Sequence, residues 1–377
     1  MDLSILERDK LKKITIFCLL ILMSCFLSAC NKTEEFSPED AEVSGTIIKS
    51  FNDKKKDTMV PAAVFPYDDS NFVLMNILGL PPSKVFITKD FSSYNELYTK
   101  DDGQALYQYA DSFGDYIIWS EIVYKDSGCH NYFVFSKKTE EVKCIYSFRK
   151  DAYVDKRYAF CGGYNGHFYC LRKNMADNKV EVVDYNIESE QETVLNDFDY
   201  SQERNYSLKV KANLLILLAT DDNDQRIVRV INLDDNSIKD TKIPDDISAP
   251  IYVDYDPNRD MFAFISNSTD QQSIFLYDVN QNEAKSLIDY SDNFENDGRK
   301  LDIRNGKVMW IQKKNADGGV LCYYGIMLYD IDTGKLEKIE KAFNYNFISN
   351  NEFYYYTYLK NTDLYKVDMY KYNFNTD

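Results

Sequence analysis

Met327 to Ile339 read MLYDIDTGKLEKI: an apolar strand, a polar turn opening at Asp330, and a second strand. The pattern recurs up the chain. FLYDVNQNEAKSLI (275–288) turns at Asp278, RVINLDDNSIKDTKI (229–243) at Asn232, and EVVDYNIESEQETVL (181–195) at Asn186. YFVFSKKTEEVKCI (132–145) turns at Ser136, KVFITKDFSSYNEL (84–97) at Asp90, and the C-terminal MYKYNFNTD (369–377) at Asn373. These seven anchors are separated by 46, 50, 46, 46, 52 and 43 positions, a mean near 47. An apolar strand, a turn rich in Asp, Asn, Thr or Gly, and a return strand are the signature of a β-hairpin.

A second signal keeps the same step. Ahead of each anchor stands a polar turn followed by an apolar strand: SNFVLMNI from Ser70, GDYIIWS from Gly114, NGHFYCL from Asn165 and ANLLILL from Ala212. RDMFAFI from Arg259, NGKVMWI from Asn305 and NEFYYYTY from Asn351 complete the set. A period of about 40–50 residues with several short strands in each repeat is the pattern of a β-propeller. No helical periodicity competes with it, and aromatic wealth (31 Tyr, 23 Phe) favours strands. The expected fold is therefore all-β: a β-propeller of seven blades, each of four antiparallel strands. Six or eight blades stay open as alternatives, because the repeat at Asp90 is weak. The last repeat supplies no outer strand, and an open strand edge is costly. GTIIKSF at residues 45–51 is expected to fill that place and close the ring with an N-terminal strand.

The recurring "NG-x-aromatic-aromatic … LYxφD" pattern resembles bacterial β-propeller lipoproteins of the cell envelope and the propeller domain of Tol-type periplasmic proteins. Tyr255-Asp256-Pro257-Asn258-Arg259-Asp260 is similar to the latter family's SPDGK turn between two inner strands, with Asn258 in place of Gly and in one repeat alone. The resemblance covers roughly residues 45–377. It implies an architecture and not an activity, since one fold hosts many functions.

The N-terminus reads as an address. Arg8, Lys10, Lys12 and Lys13 precede an uncharged run from Ile14 to Ala29. That run is shorter than the roughly 20 residues of a membrane-spanning helix and suits a secretory signal. Leu27-Ser28-Ala29-Cys30 resembles the lipobox of bacterial lipoproteins. The resemblance implies cleavage between Ala29 and Cys30 and a diacylglycerol on the Cys30 thiol, with no other cofactor. Residues 1–29 are then the signal peptide, 30–44 the lipidated cysteine and a polar, acidic tether, and 45–377 the propeller. Two or more acyl chains anchor a protein stably. The expected location is the cell membrane, lipid-anchored and facing the extracytoplasmic side.

The whole chain carries a net charge of −17, and −18 without residues 1–29. An acidic domain repels phosphate backbones, so nucleic acid is not an expected partner. Cys129, Cys144, Cys161, Cys170 and Cys322 are odd in number and irregular in spacing, with no CxxC, which supports no zinc site. Cys161 and Cys170 are either a cross-strand disulfide or buried free thiols.

Catalytic motifs are missing. The chain has no G-x-S-x-G, H-E-x-x-H, P-loop or G-x-G-x-x-G. Its two histidines, His130 beside Cys129 in an expected loop and His167 at the start of an expected strand, read as structural or surface residues. No catalytic residue is assigned. Asp254, Asp256, Asn258 and Asp260 have the spacing of a calcium loop, but Arg259 stands where glycine is needed and Ile265 where the twelfth-position glutamate belongs. They are a weak metal candidate against a plain inter-strand turn. The functional expectation is a non-catalytic binding module for an envelope protein or an extracellular ligand. The alternative is a protein that binds or cleaves polysaccharide with carboxylates and tyrosines at the channel mouth.

Overall fold

A computed structural model describes residues 39–40, 46–53, 61–66, 71–76, 83–89, 93–100, 105–123, 129–148, 161–201, 205–221, 223, 225–267, 272–289, 294–316, 320–361 and 364–374. The signal segment, Ala29 and Cys30 lie outside the described residues.

Seven four-stranded antiparallel blades form a ring, a seven-bladed β-propeller. Blade 1 runs Pro61–Pro66, Asn71–Asn76, Ser83–Lys89 and Ser93–Lys100 from the axis outward. Blade 2 is Ala105–Phe113, Tyr116–Val123, Cys129–Ser136 and Glu141–Phe148. Blade 3 is Cys161–Tyr164, His167–Asn174, Lys179–Asn186 and Gln191–Asp199. Blade 4 is Ser207–Lys211, Leu214–Thr220, Arg226–Asn232 and Ile238–Lys242. Blade 5 is Pro250–Asp256, Met261–Asn267, Gln272–Asp278 and Glu283–Asp289. Blade 6 is Phe294–Arg304, Lys307–Ala316, Val320–Asp330 and Leu336–Glu340. Blade 7 takes three strands from the C-terminus, Ala342–Phe347, Glu352–Asn361 and Leu364–Asn373, and its outer strand from Thr46–Asp53. Thr46–Asp53 pairs antiparallel with Leu364–Asn373, so the two ends of the propeller sequence close the ring. Glu39–Asp40, within the segment expected to be tether, adds a short parallel strand to the outer edge of blade 6.

Both periodic sequence signals fall on the two middle strands of each blade. Asp330, Asn186 and Asp278 among the anchor residues work as turn caps. Asp330 Oδ1 accepts the Thr333 N–H at 2.8 Å, Asn186 Oδ1 accepts that of Ser189 at 2.8 Å, and Asp278 Oδ1 that of Gln281 at 3.1 Å. Such side chains mimic a backbone turn, which explains their recurrence at the strand end.

The core lies between blades, and it requires strands that are apolar on both faces. In blade 2, Ile117, Trp119, Phe133 and Phe135 pack with Phe65, Val73 and Val85 of blade 1. The alternate residues Ile118, Tyr132 and Val134 pack with Phe168, Cys170 and Val183 of blade 3. Successive strand residues point to opposite faces, and here each face has a neighbouring blade. The run Tyr354-Tyr355-Tyr356 is buried throughout for the same reason. Near the axis, Gly162 and Gly163 let three inner strands converge. A Cβ on Gly162 would stand 2.6 Å from Val210 Cβ, and one on Gly163 would stand 2.0 Å from the Phe113 ring.

Candidate functional site

The ring has two unlike ends. Short hairpins join first to second and third to fourth strands at one end, such as Asn165-Gly166 and Asn305-Gly306, whose positive φ angles suit a type I′ turn. The other end carries the connections between second and third strands and those between blades. Loops of that kind are where binding groups concentrate.

At the loop end a cavity of about 240 Å³ opens between blades 4 and 5. Tyr206, Leu218, Ala219, Ala249 and Pro250 give it an apolar lining; Asn205, Thr220 and Arg226 supply polar groups. Tyr206 is fixed there, its hydroxyl accepting from the Ser201 N–H at 2.8 Å and donating to the Asp199 carbonyl at 3.1 Å.

Toward the hairpin end, a charged network joins the inner strands of four consecutive blades. Lys209 and Lys211 sit two apart on the inner strand of blade 4, so their side chains leave on the same side. Lys209 Nζ donates to Asp254 Oδ2 of blade 5 at 2.9 Å, and to Asp302 Oδ1 at 2.7 Å and the Leu301 carbonyl at 2.6 Å, both in blade 6. Lys211 Nζ donates to Asp254 Oδ2 at 3.2 Å, to the Tyr255 carbonyl at 2.9 Å and to the Ile303 carbonyl. Asp254, fully buried, also accepts the Ile303 and Tyr255 N–H groups. Asp302 Oδ2 accepts the Tyr345 hydroxyl of blade 7 at 2.8 Å.

Burial works against each of these charges, and the partners decide the outcome. For Lys209, Asp254 and Asp302 outweigh burial and hold the ammonium pKa above its ordinary value. For Lys211, burial wins: with Lys209 and Arg304 as like charges it lowers the pKa despite Asp254. The cations Lys209 and Arg304 hold the Asp302 carboxyl well below the usual range against its burial. Burial, and then Asp302, pushes the Tyr345 hydroxyl far up.

The calcium-loop spacing dissolves in this geometry. Asp254 and Asp256 belong to a strand, and their separation of two is strand periodicity. Asp254 is engaged by two lysines, Asp256 Oδ1 accepts the Asn258 N–H at 3.0 Å, and Asp260 takes Lys239 and, at 2.8 Å, the Tyr255 hydroxyl. The stretch from Tyr255 to Asp260 is the hairpin between the first and second strands of blade 5. Among the described residues no group of three or more His, Cys, Asp or Glu side chains is arranged to hold a metal ion.

His130 is not in a loop: it lies buried in the third strand of blade 2, stacked on Tyr132 at 4.9 Å. Burial lowers its pKa to about 4. His167 opens the second strand of blade 3. Its Nδ1 is 2.7 Å from Asp184 Oδ1, as a general base oriented by a carboxylate would be. Its Nε2, however, faces the Asn186 amide at 3.2 Å, where a nucleophile would have to stand. Cys161 lies directly opposite Cys170 on neighbouring strands, and both are buried free thiols. Cys144 is exposed, its Sγ donating to the Tyr146 carbonyl at 3.6 Å. The side chains of Cys129 and Cys322 lie outside the described residues.

Lys209, Lys211, Asp302 and Arg304 were not among the candidate residues of the sequence. The signal was present in charged residues two apart within otherwise apolar strands, just before a turn. A charge at such a position must find a partner when the strand is buried.

No protein-family model matches the chain, and no curated protein matches it in sequence. Solved structures match in fold. A prolyl endopeptidase is 10% identical with a TM-score of 0.50, over 87% of this chain and 51% of that one. A puromycin hydrolase, solved as a complex with PGG, is 9% identical with a TM-score of 0.50, over 84% of this chain and 52% of that one. The β-propeller domain of the Trilobed protease from Pyrococcus furiosus is 10% identical with a TM-score of 0.46, over 73% of this chain and 84% of that one. The chain spans about half the length of the first two proteins.

These neighbours overturn the expectation of a non-catalytic binding module for an envelope protein or extracellular ligand. That expectation rested on the anchor, the acidic tethered repeat architecture and the absence of catalytic motifs. Propellers of this fold occur in peptide-hydrolysing enzymes, so none of these observations separates a module from part of a hydrolase.

Proposed function

We propose that this propeller takes part in peptide hydrolysis, as the unit that receives a peptide and presents it to a hydrolytic centre. The observation that carries the reading is the fold match to a prolyl endopeptidase and a puromycin hydrolase at a TM-score of 0.50, with about half of each of those chains covered. The ring geometry supports it. One end offers loops and a small, half-apolar cavity with Arg226 in its wall, suited to a peptide side chain. The other end holds fixed charges on the axis. With Asn186 at His167 Nε2, the described residues put no nucleophile on the His167–Asp184 pair, and the reading gives cleavage itself to a separate catalytic unit.

The proposal includes the address. Cys30 carries the lipid and Ala29–Cys30 is the cleaved bond, which holds the propeller on the extracytoplasmic face of the cell membrane. What supports this is the basic flank, the uncharged run and the LSAC motif.

Fluorescence anisotropy of labelled short peptides with the purified full chain tests the receiving role. Saturable binding, competed by unlabelled peptide, is expected. Absence of saturable binding across a diverse peptide panel would overturn the reading.

A further inference from the structure

The axial network leaves one cation underused. Arg304 ends the inner strand of blade 6, and its side chain is 20% exposed, within reach of solvent. The lysines have consumed the carboxylates around it. Asp254 is taken by Lys209, Lys211 and two backbone N–H groups. Asp302 is taken by Lys209 on one oxygen and by Tyr345 on the other. Arg304 is left with one long ion pair to Asp302 Oδ1 at 3.6 Å, beyond hydrogen-bond length. Its Nε is buried and has no hydrogen-bond partner.

The guanidinium is nonetheless held in place. Its Cζ lies 3.9 Å above the centroid of the Phe347 ring, which ends the inner strand of blade 7. Phe347 is wedged in turn against Tyr345, Phe353 and Phe374. A planar guanidinium stacked on an aromatic face keeps its edge donors free for a planar, two-oxygen acceptor. The charge count agrees. Among the described residues, Lys209, Lys211 and Arg304 share the carboxylates Asp254 and Asp302, while Asp111 of blade 2 acts on Tyr252 and Cys161. In a chain of net charge −17, three basic side chains thus share two carboxylates in this network.

We propose that Arg304, seated on Phe347 at the hairpin end of the propeller axis, is a binding site for a carboxylate. The inference deepens the peptide reading, on which one source of that group rests: the free C-terminus of a peptide. A small organic acid presents the same group. Either would take Arg304 through paired N–H···O bonds.

Titration calorimetry on the full chain tests this with three probes: a short peptide with a free C-terminus, the same peptide amidated, and succinate. The free acid is expected to bind about tenfold or more tightly than the amide, the scale of a bidentate charge-assisted pair. Arg304→Gln should erase that preference. Arg304→Lys, which keeps the charge but not the fork, should retain only part of it. Phe347→Leu should weaken it as well, and thermal melts of all three variants establish that they remain folded. Acid and amide bound equally would overturn the carboxylate site and leave the peptide reading standing. Succinate bound through Arg304 with neither peptide bound would support the site, assign it to free acids and remove the peptide reading. No Arg304-dependent binding of any probe would overturn it.

Discussion

Lys209 Nζ stands 2.9 Å from Asp254 Oδ2, an ion pair between the innermost strands of neighbouring blades, with the aspartate side chain fully buried. The same ammonium reaches Asp302 one blade further on, so a single lysine ties three blades at the axis. Removing one partner of a buried pair leaves an uncompensated charge in a poor solvent. Asp254→Ala would set Lys209 and Lys211 against each other with nothing between them. Urea unfolding is expected to show a loss of about 3–5 kcal/mol for this variant. A loss below about 1 kcal/mol, the scale of an exposed pair, would mean that the network is wetter than its burial indicates.

His130 gives stability a pH dependence of known sign. Its pKa is lowered by burial from 6.5 to about 4 in the folded chain. Between these values the unfolded chain binds the proton and the folded chain does not, so stability falls as pH drops through that window. It is at its full value above pH 6.5. The window is worth roughly 3 kcal/mol. Chemical unfolding at intervals from pH 7 to 4 should show the slope, and His130→Gln should flatten it. Below that range Asp330, lowered to about 2 by Lys307 and Thr333 against its burial, adds a further loss on acidification.

Thiol labelling should separate the cysteines by burial. Cys144 is exposed, while Cys161 and Cys170 face each other in the interblade core, where burial pushes both thiols up. The thiolate is the reactive form. Mass spectrometry after brief alkylation of the native chain should find Cys144 modified and Cys161 and Cys170 protected. Denaturant should expose both. Rapid native labelling of Cys170 would contradict its placement.

Closure by the N-terminal strand can be cut. Thr46–Asp53 covers the edge of Leu364–Asn373, and deleting it leaves a row of unpaired backbone groups. The deletion is expected to melt earlier and to aggregate, as light scattering would register. A peptide of sequence TIIKSFND added in trans should partly restore the melt. Unchanged melting would show that the ring closes without this strand.

The blades were legible because each is a local stretch of sequence: two hairpins whose turns announce themselves through Asp330, Asp278, Asn232 and Asn186. Closure was legible because the last repeat had no outer strand and GTIIKSF was unclaimed. The axial network was not, since it joins Lys209 to Asp254 and Asp302 over separations of 45 and 93 residues. Nothing local says which charged residues of different repeats meet at the axis. The same blindness turned Asp254 and Asp256 into an apparent calcium loop, because strand spacing and loop-ligand spacing are both two. His130 was misplaced for a related reason: DSGCHN looks polar, yet Cys129 already begins a strand.

The most direct measurement of a role in peptide hydrolysis is a mass-spectrometric time course of peptide-library cleavage by membranes from cells lacking the chain. It is run with and without purified full-length chain added back. The proposal predicts that a defined subset of peptides is cleaved faster when the chain is restored, and that the stimulation saturates with its concentration. Identical cleavage profiles at every concentration of added chain would contradict it.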